Sequence, residues 1–230
     1  MAWTHVKLVR HLATLISNRA MNLNLDLIER WLTGRSLARG LPLPVHKAGG
    51  LCVEVGAAGE LRRHVFLDAG PALQACAAQT QTPFIFLKAA VAPDVLRDSL
   101  PDRWKVEDVA YLMLGPAATS RNTSPPPDYH VSLEAEYGGH AVRVVHASGE
   151  LAASGRVAVH AGCAVFDQIL TDKAHRRLGL GTVVMQNLDD VAKQAGATDR
   201  LLVATEAGRA LYERLGWTVL APWSTAVLFD

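Results

Sequence analysis

Cysteine is scarce in these 230 residues: Cys52, Cys76 and Cys163 stand far apart among apolar neighbours. An odd, scattered count excludes a disulfide framework, and no zinc-ligand spacing accompanies it. Buried free thiols in a reducing compartment are expected instead. Aromatic residues are few, at 6%. No run approaches the ~20 apolar residues of a membrane span. The opening residues, Met1-Ala2-Trp3-Thr4-His5, lack a basic segment followed by an apolar one. No secretory signal is therefore read, and a cytoplasmic location is expected. Charge of one sign is not in excess either, with 23 Lys and Arg against 22 Asp and Glu. Residues 1–50 do carry seven Lys and Arg and two Asp and Glu. These are spread out with little aromatic interleaving, so they read as solvated helix faces, and nucleic acid is disfavoured as a partner.

What is present is a chain half hydrophobic and one-fifth charged. That composition excludes a disordered, collagen-like or coiled-coil protein. Its length allows burial of roughly 70–75% of the unfolded surface without a metal or disulfide staple. Val6, Val9, Leu12 and Ile16 recur at helical spacing, as do Leu27, Ile28, Trp31 and Leu32. Asn24 or Asp26 would open the second helix, and Gly40 followed by Pro42 would close it. Apolar runs at 51–55 and 61–67 flank Gly56-Ala57-Ala58-Gly59 as a hairpin. A short helix from Pro71 to about Gln79, a strand at 83–88, a short helix at 93–100 and a strand at 104–114 follow.

Residues 115–128, with three consecutive prolines among small polar residues, form the clearest break. They suggest two halves, 1–120 and 129–230. Arg121 and Asn122 lie in this loop and could fold over a substrate. Beyond it, strands are expected at 129–137 and 141–147 around Gly138-Gly139, then at 151–160 and 163–171. A helix at 182–195, a strand at 200–205 and a helix at 207–215 ended by Gly216 come next. Strands at 217–220 and 223–229 complete a mixed α/β, mostly antiparallel sheet with flanking helices.

The chemistry concentrates between the strand ending in Ile169-Leu170-Thr171 and the helix that follows. There Arg176-Arg177-Leu178-Gly179-Leu180-Gly181-Thr182 combines two arginines with two glycines. Glycine lets the backbone approach a bulky anion, and the helix start offers free N–H groups and a favourable dipole. A pyrophosphate site needs these features. The run lacks the Lys-Ser/Thr of a P-loop and the third glycine of a dinucleotide fingerprint.

The stretch resembles the acetyl-CoA signature of the GNAT family of N-acetyltransferases, Arg/Gln-x-x-Gly-x-Gly/Ala, with Arg176, Gly179 and Gly181 at its fixed positions. A second stretch, Ala207-Gly208-Arg209-Ala210-Leu211-Tyr212-Glu213-Arg214-Leu215-Gly216-Trp217, resembles the family's Ala-x-x-Leu-Tyr-x-x-x-Gly-Phe/Trp segment. The resemblance covers about residue 129 to the C-terminus. The order of elements in the first half is compatible with a degenerate second copy of the fold.

The likeness implies acetyl transfer from acetyl-CoA, as co-substrate, to a primary amine, with a small-molecule acceptor favoured over a protein. It implies that Ile169, Leu170 and Thr171 face the pantetheine arm and the thioester. The backbone from Arg177 to Thr182 would take the pyrophosphate, and Tyr212 would act as the acid for the departing thiolate. Glu134 and Glu136 alternate with Leu133 and Ala135, share one face of a strand and are candidates for receiving a proton through water. His130, His146 and His160 read as structural or surface residues. No metal is required. The family often has an Asn shortly before the tyrosine-bearing helix, and here Thr205-Glu206 stands in its place. Two rival readings stay open: a CoA-binding regulatory or interaction protein without turnover, and an acetyltransferase recruited to a macromolecule through the basic first fifty residues.

Overall fold

The computed structural model describes residues 23–117 and 123–229. The helix expected around Val6 to Ile16, and Arg121 and Asn122, lie outside the described residues. The first described helix, α1 (Leu25–Arg39), begins where the Asn24 side chain accepts the Leu27 amide at 2.8 Å. It ends at Gly40, whose φ of 64° suits a residue without Cβ. Strands β1 (Val45–Lys47), β2 (Gly50–Ala57) and β3 (Glu60–Phe66) are successively antiparallel. Helix α2 (Pro71–Gln79), with proline in its first turn, then leads to β4 (Ile85–Ala89), which lies parallel to β3. Helix α3 (Pro93–Asp98), β5 (Trp104–Val106) and β6 (Ala110–Leu114) precede the proline-rich segment.

After that segment β7 (Tyr129–Glu136), β8 (Gly139–His146), β9 (Leu151–His160) and β10 (Cys163–Thr171) form an antiparallel meander. A short 3-10 turn leads to α4 (Leu180–Gln194), then β11 (Asp199–Thr205) parallel to β10, α5 (Glu206–Arg214) and β12 (Thr218–Leu228). The strands join in the order β1-β2-β3-β4-β12-β6-β11-β10-β9-β8-β7, with β5 also on β12. The architecture is the mixed, mostly antiparallel sheet with flanking helices expected from the sequence.

Three local differences have physical causes. The strand expected at 104–114 is two pieces, β5 and β6, both antiparallel to β12. Three residues lie between Val106 and Ala110 but only two between their partners Ala226 and Trp223, so the ladder cannot stay in register between them. The two expected C-terminal strands are one, β12, whose ladder with β6 shifts register between Val219 and Ala221. Pro222 lies opposite Tyr111 of β6, short of the pairing with β4 that starts at Ser224, so its missing N–H need not serve both neighbours. The β7–β8 turn is Tyr137-Gly138 rather than Gly138-Gly139, because Gly139 already pairs with Glu136. Strand β6 sits between β11 and β12, so the sheet runs on across residues 115–128.

Helices α1 and α4 cover opposite faces of β9 and β10. Gly34 of α1 comes so close to β10 that a Cβ there would stand 2.5 Å from Val165 Cγ2. Across the sheet, a Cβ on Gly155 of β9 would stand 2.7 Å from Val184 Cγ1 of α4. Helix α1 is thus held between β10 and the inner face of β2 and β3, sharing its core with Val53, Val65, Val165 and Trp223. Trp31 meets Trp223 edge-on at 4.8 Å. Helices α2 and α3 cover the outer face of β3, β4 and β12. Charged ties fix the layers: Arg30 of α1 to Asp199 of β11 at 2.8 Å, and the fully buried Arg200 of β11 to Asp189 of α4 at 2.5 Å.

Candidate functional site

Strands β10 and β11 pair only from Cys163/Asp199 to Val165/Leu201. Beyond that point they part. A β-bulge between Asp167 and Leu170, with Gln168 at φ 53°, bends β10 away, while β11 stays on β6 as far as Thr205/Ala110. Residues 166–171 and 202–205 therefore present one backbone edge each without a strand partner. Those groups are free for the amides of an extended ligand.

The opening widens into a cleft of about 790 Å³. It brings together Ile169, Leu170 and Thr171 of β10 with Arg176, Arg177, Gly179, Leu180, Gly181 and Thr182 of the following turn. Leu178 is not in the lining and is 47% exposed on the turn. Arg177 takes a left-handed conformation at φ 64°, as does Gly179 at φ 80°. The two glycines serve different purposes. Nothing lies within 4 Å of a Cβ on Gly179, so its freedom is conformational and leaves open space above the turn. A Cβ on Gly181 would meet Leu211 Cδ2 at 3.1 Å, so that glycine permits the approach of α5 to α4.

Helix α4 has no side-chain cap and no acidic residue in its first turn. Its positive end and free N–H groups thus face the cleft. The turn is braced from behind. The Asp172 carboxylate accepts the Ala174 amide at 2.8 Å, and the Tyr129 hydroxyl lies 2.8 Å from Nδ1 of the buried His175. These hydrogen bonds hold the shape of the turn that leads into α4. Sequence reasoning missed Tyr129 and His175, because 46 residues separate them.

The second motif forms the facing wall. Thr205 caps α5 by accepting the Gly208 amide at 3.2 Å, which is the use found for the position where the family often has asparagine. Glu206 accepts from the Tyr111 hydroxyl at 2.5 Å, and Arg209 lies over the Tyr111 ring at 4.6 Å. Tyr212 lines the cleft, is 7% exposed and packs near Trp217, which meets Phe166 of β10 edge-on. Burial, and then the charge of Asp167, push its phenol up to about 12. Its hydroxyl has no hydrogen-bond partner among the described residues.

The other candidates lie apart. Glu134 and Glu136 are on β7, three strands from β10, about 14 Å at ~4.8 Å per strand. Their carboxylates are occupied: Arg143 reaches Glu134 at 2.8 Å and Glu136 at 2.6 Å, and Arg156 also binds Glu136. His130 and His160 are exposed, and His146 is engaged with Ser148 at 2.8 Å. The acid that does stand at the bulge is Asp167, which the sequence reading passed over. Arg39 binds it through two nitrogens, and Arg35 approaches to 3.9 Å. The available signal was a carboxylate directly after the apolar run Cys163-Ala164-Val165-Phe166. No group of three or more metal-ligating side chains occurs among the described residues.

Comparison with known proteins agrees with this geometry. The family model described as Acetyltransferase (GNAT) family matches residues 94–217. A GCN5-related N-acetyltransferase from Kribbella flavida has a similar structure, with TM-score 0.60 and 15% identity over 90% of this chain and 96% of that one. A putative GNAT-family acetyltransferase from Novosphingobium aromaticivorans gives TM-score 0.55 and 18% identity, over 88% and 98% of the two chains. A GCN5-related N-acetyltransferase-like protein from Streptococcus suis gives 0.53 and 13%, over 78% and 83%. No curated protein matches in sequence. At these identities the structures establish the shared fold, and the family model establishes membership: the chain belongs to the GNAT family of acetyltransferases.

Proposed function

We propose that this acetyltransferase moves an acetyl group from acetyl-CoA directly to the primary amine of a small molecule. The observation that carries the reading is the parting of β10 and β11 beside an uncapped, glycine-started helix. In this reading the backbone of residues 177–182 and the Arg176 and Arg177 side chains hold the pyrophosphate. The free edge of Ile169 to Thr171 holds the pantetheine amides and sets the thioester carbonyl beside the bulge. The neutral amine attacks that carbonyl, the C–S bond breaks, and the sulfur leaves as a thiolate. Tyr212 donates a hydrogen bond to that sulfur. The attacking nitrogen loses its proton to water, with Glu134 and Glu136 as more distant acceptors along the sheet. We further read the first half as a degenerate copy of the fold that shapes the acceptor side, since β3–α2–β4–α3 repeats the order β10–α4–β11–α5. Three free, buried cysteines suit a reducing cytoplasm.

Calorimetric titration with acetyl-CoA, followed by a screen of amines read as free thiol, tests the assignment. Saturable binding with amine-dependent thiol release is the expected result. Binding without release for any amine would favour a CoA-responsive regulatory protein, and absence of binding would overturn the reading of the cleft.

A further inference from the structure

A second group of charges lies inside the protein, between α1 and the sheet of the first half. Strand alternation turns Arg63 of β3 inward with Val65, toward α1, while His64 and Phe66 face the outer helices. Lys88 stands opposite Val65 and Thr225 in register, so it shares that inner face. Arg35 and Arg39 reach the same region from α1 and meet Asp167 at the β10 bulge. Glu60 accepts two hydrogen bonds from Arg63, both 2.7 Å, and is close enough to feel the charges of Lys88, Arg35 and Arg39. Glu107 also acts on Lys88. Asp167 lies on β10 just past the last β10–β11 pair, at Val165/Leu201, so the cluster adjoins the point where the two strands part.

The balance of this cluster is uneven. Arg35, Arg39, Arg63 and Lys88 face Glu60, Asp167 and Glu107, one carboxylate short of neutrality. Asp167 is taken up by Arg39 and Glu60 by Arg63. The Arg63 side chain is 1% exposed, yet its Nη1 has no hydrogen-bond partner among the described residues, and neither has buried Nη1 of Arg35. Lys88 Nζ donates to the neutral Thr225 hydroxyl at 3.0 Å and lies 5.3 Å from the centre of the Phe86 ring, with no carboxylate in hydrogen-bond reach among the described residues. Unpaired donors on buried cations are costly to fold around, unless a ligand completes them.

We propose that Arg35, Arg63 and Lys88 form a subsite for an anionic group, carboxylate or phosphate, carried by the acceptor amine. Two guanidinium edges and one ammonium match the oxygens of such a group. The acceptor is then an amine that also bears an anion, not a simple alkylamine or a polyamine, whose second cation would meet buried positive charge. This deepens the proposed acetyl transfer and rests on it.

The test uses the full chain saturated with CoA, so that the pyrophosphate turn is already filled. Inorganic phosphate and succinate are titrated separately by calorimetry, which separates the two anion types. Matched acceptors are then compared by thiol release: 2-aminoethyl phosphate against ethanolamine, and phenylalanine against phenylethylamine. The expected result is binding of at least one anion and at least tenfold higher kcat/KM for the anionic member of a pair. That ratio should fall at least tenfold in Arg63→Gln, and likewise in Lys88→Gln, which serves if Arg63→Gln does not fold. CoA binding with no anion bound, or with neutral amines used as well as their anionic partners, overturns the subsite alone. Failure to bind CoA overturns the reading of the cleft.

Discussion

Removing one oxygen, in Tyr212→Phe, separates a structural tyrosine from one that assists transfer. The ring is 7% exposed and would keep its packing against Trp217. The hydroxyl has no partner among the described residues, so its loss breaks no hydrogen bond of the fold, and stability should change by less than ~1 kcal/mol. With the phenol pushed up to about 12, Tyr212 stays protonated across the working pH range. An ordinary thiol titrates near ~8.5, so complete proton transfer from this phenol to a free thiolate is uphill by about 5 kcal/mol. Tyr212 should therefore act as a hydrogen-bond donor while the C–S bond breaks, and the thiolate should draw its proton from water afterwards. Loss of one such donor costs about 10²–10³-fold in kcat. Steady-state kinetics should show that drop with the acetyl-CoA dissociation constant nearly unchanged, and the wild-type rate should show no falling limb near pH 10. Near-wild-type turnover in a folded variant would refute the role. A limb near pH 10 that vanishes in the variant would refute the argument from burial.

Gly179→Val should lower CoA affinity at least tenfold by calorimetry, through strain at φ 80° of about 1–3 kcal/mol and a side chain in the anion's space, while circular dichroism stays unchanged. A fragment of residues 129–230 lacks β6, the strand between β11 and β12; it should be insoluble, and a soluble fragment with full acetyl transfer would show the first half to be dispensable. Buried His64 is held down to about 4, by burial first and then by Arg62, so it is neutral when folded and protonates more readily when unfolded. Stability from this residue is fully present above its unfolded value near ~6.5 and is lost as pH falls toward 4, about 2 kcal/mol of it by pH 5. Thermal melts of His64→Leu should show a shallower acid limb than wild type between pH 6.5 and 4, and parallel limbs would show that His64 is not the group responsible.

Sequence could show α1, the hairpins and the glycine turn because each depends on near neighbours. Asn24 caps a helix three residues away, and Gly179 and Gly181 lie within one turn. What it could not show depends on pairing over long separations. Nothing local tells that β6 lies between β11 and β12, or that Pro222 sits in a strand where β4 does not yet pair. Asp167 is similar. Its neighbours Phe166 and Gln168 mark only a strand, and its meaning comes from Arg39, 128 residues earlier. The charged cluster around Arg63 was invisible for the same reason: β3, β4, α1 and β10 each give it one or two residues, with no spacing of their own.

The order strand, helix, strand, helix occurs twice among the described residues, and the two instances differ where the helix begins. Strands β3 and β4 stay paired from Arg62/Ile85 to Phe66/Ala89, so no backbone edge opens between them. Helix α2 has Pro71 in its first turn, which removes an N–H donor, and the Asp68 carboxylate accepts the Gly70 amide at 2.8 Å just before it. At α4 the strands part after three pairs, no proline removes an N–H from the first turn, and Arg176 and Arg177 lead into it. The closed unit offers the other face instead. Because β3 and β4 do not splay, their inner side forms an unbroken wall opposite α1, and that wall carries Arg63 and Lys88. In the proposed reading the opened pair holds the donor from one side of the sheet, and the closed pair presents charge to the acceptor from the other. Neither half provides both surfaces alone.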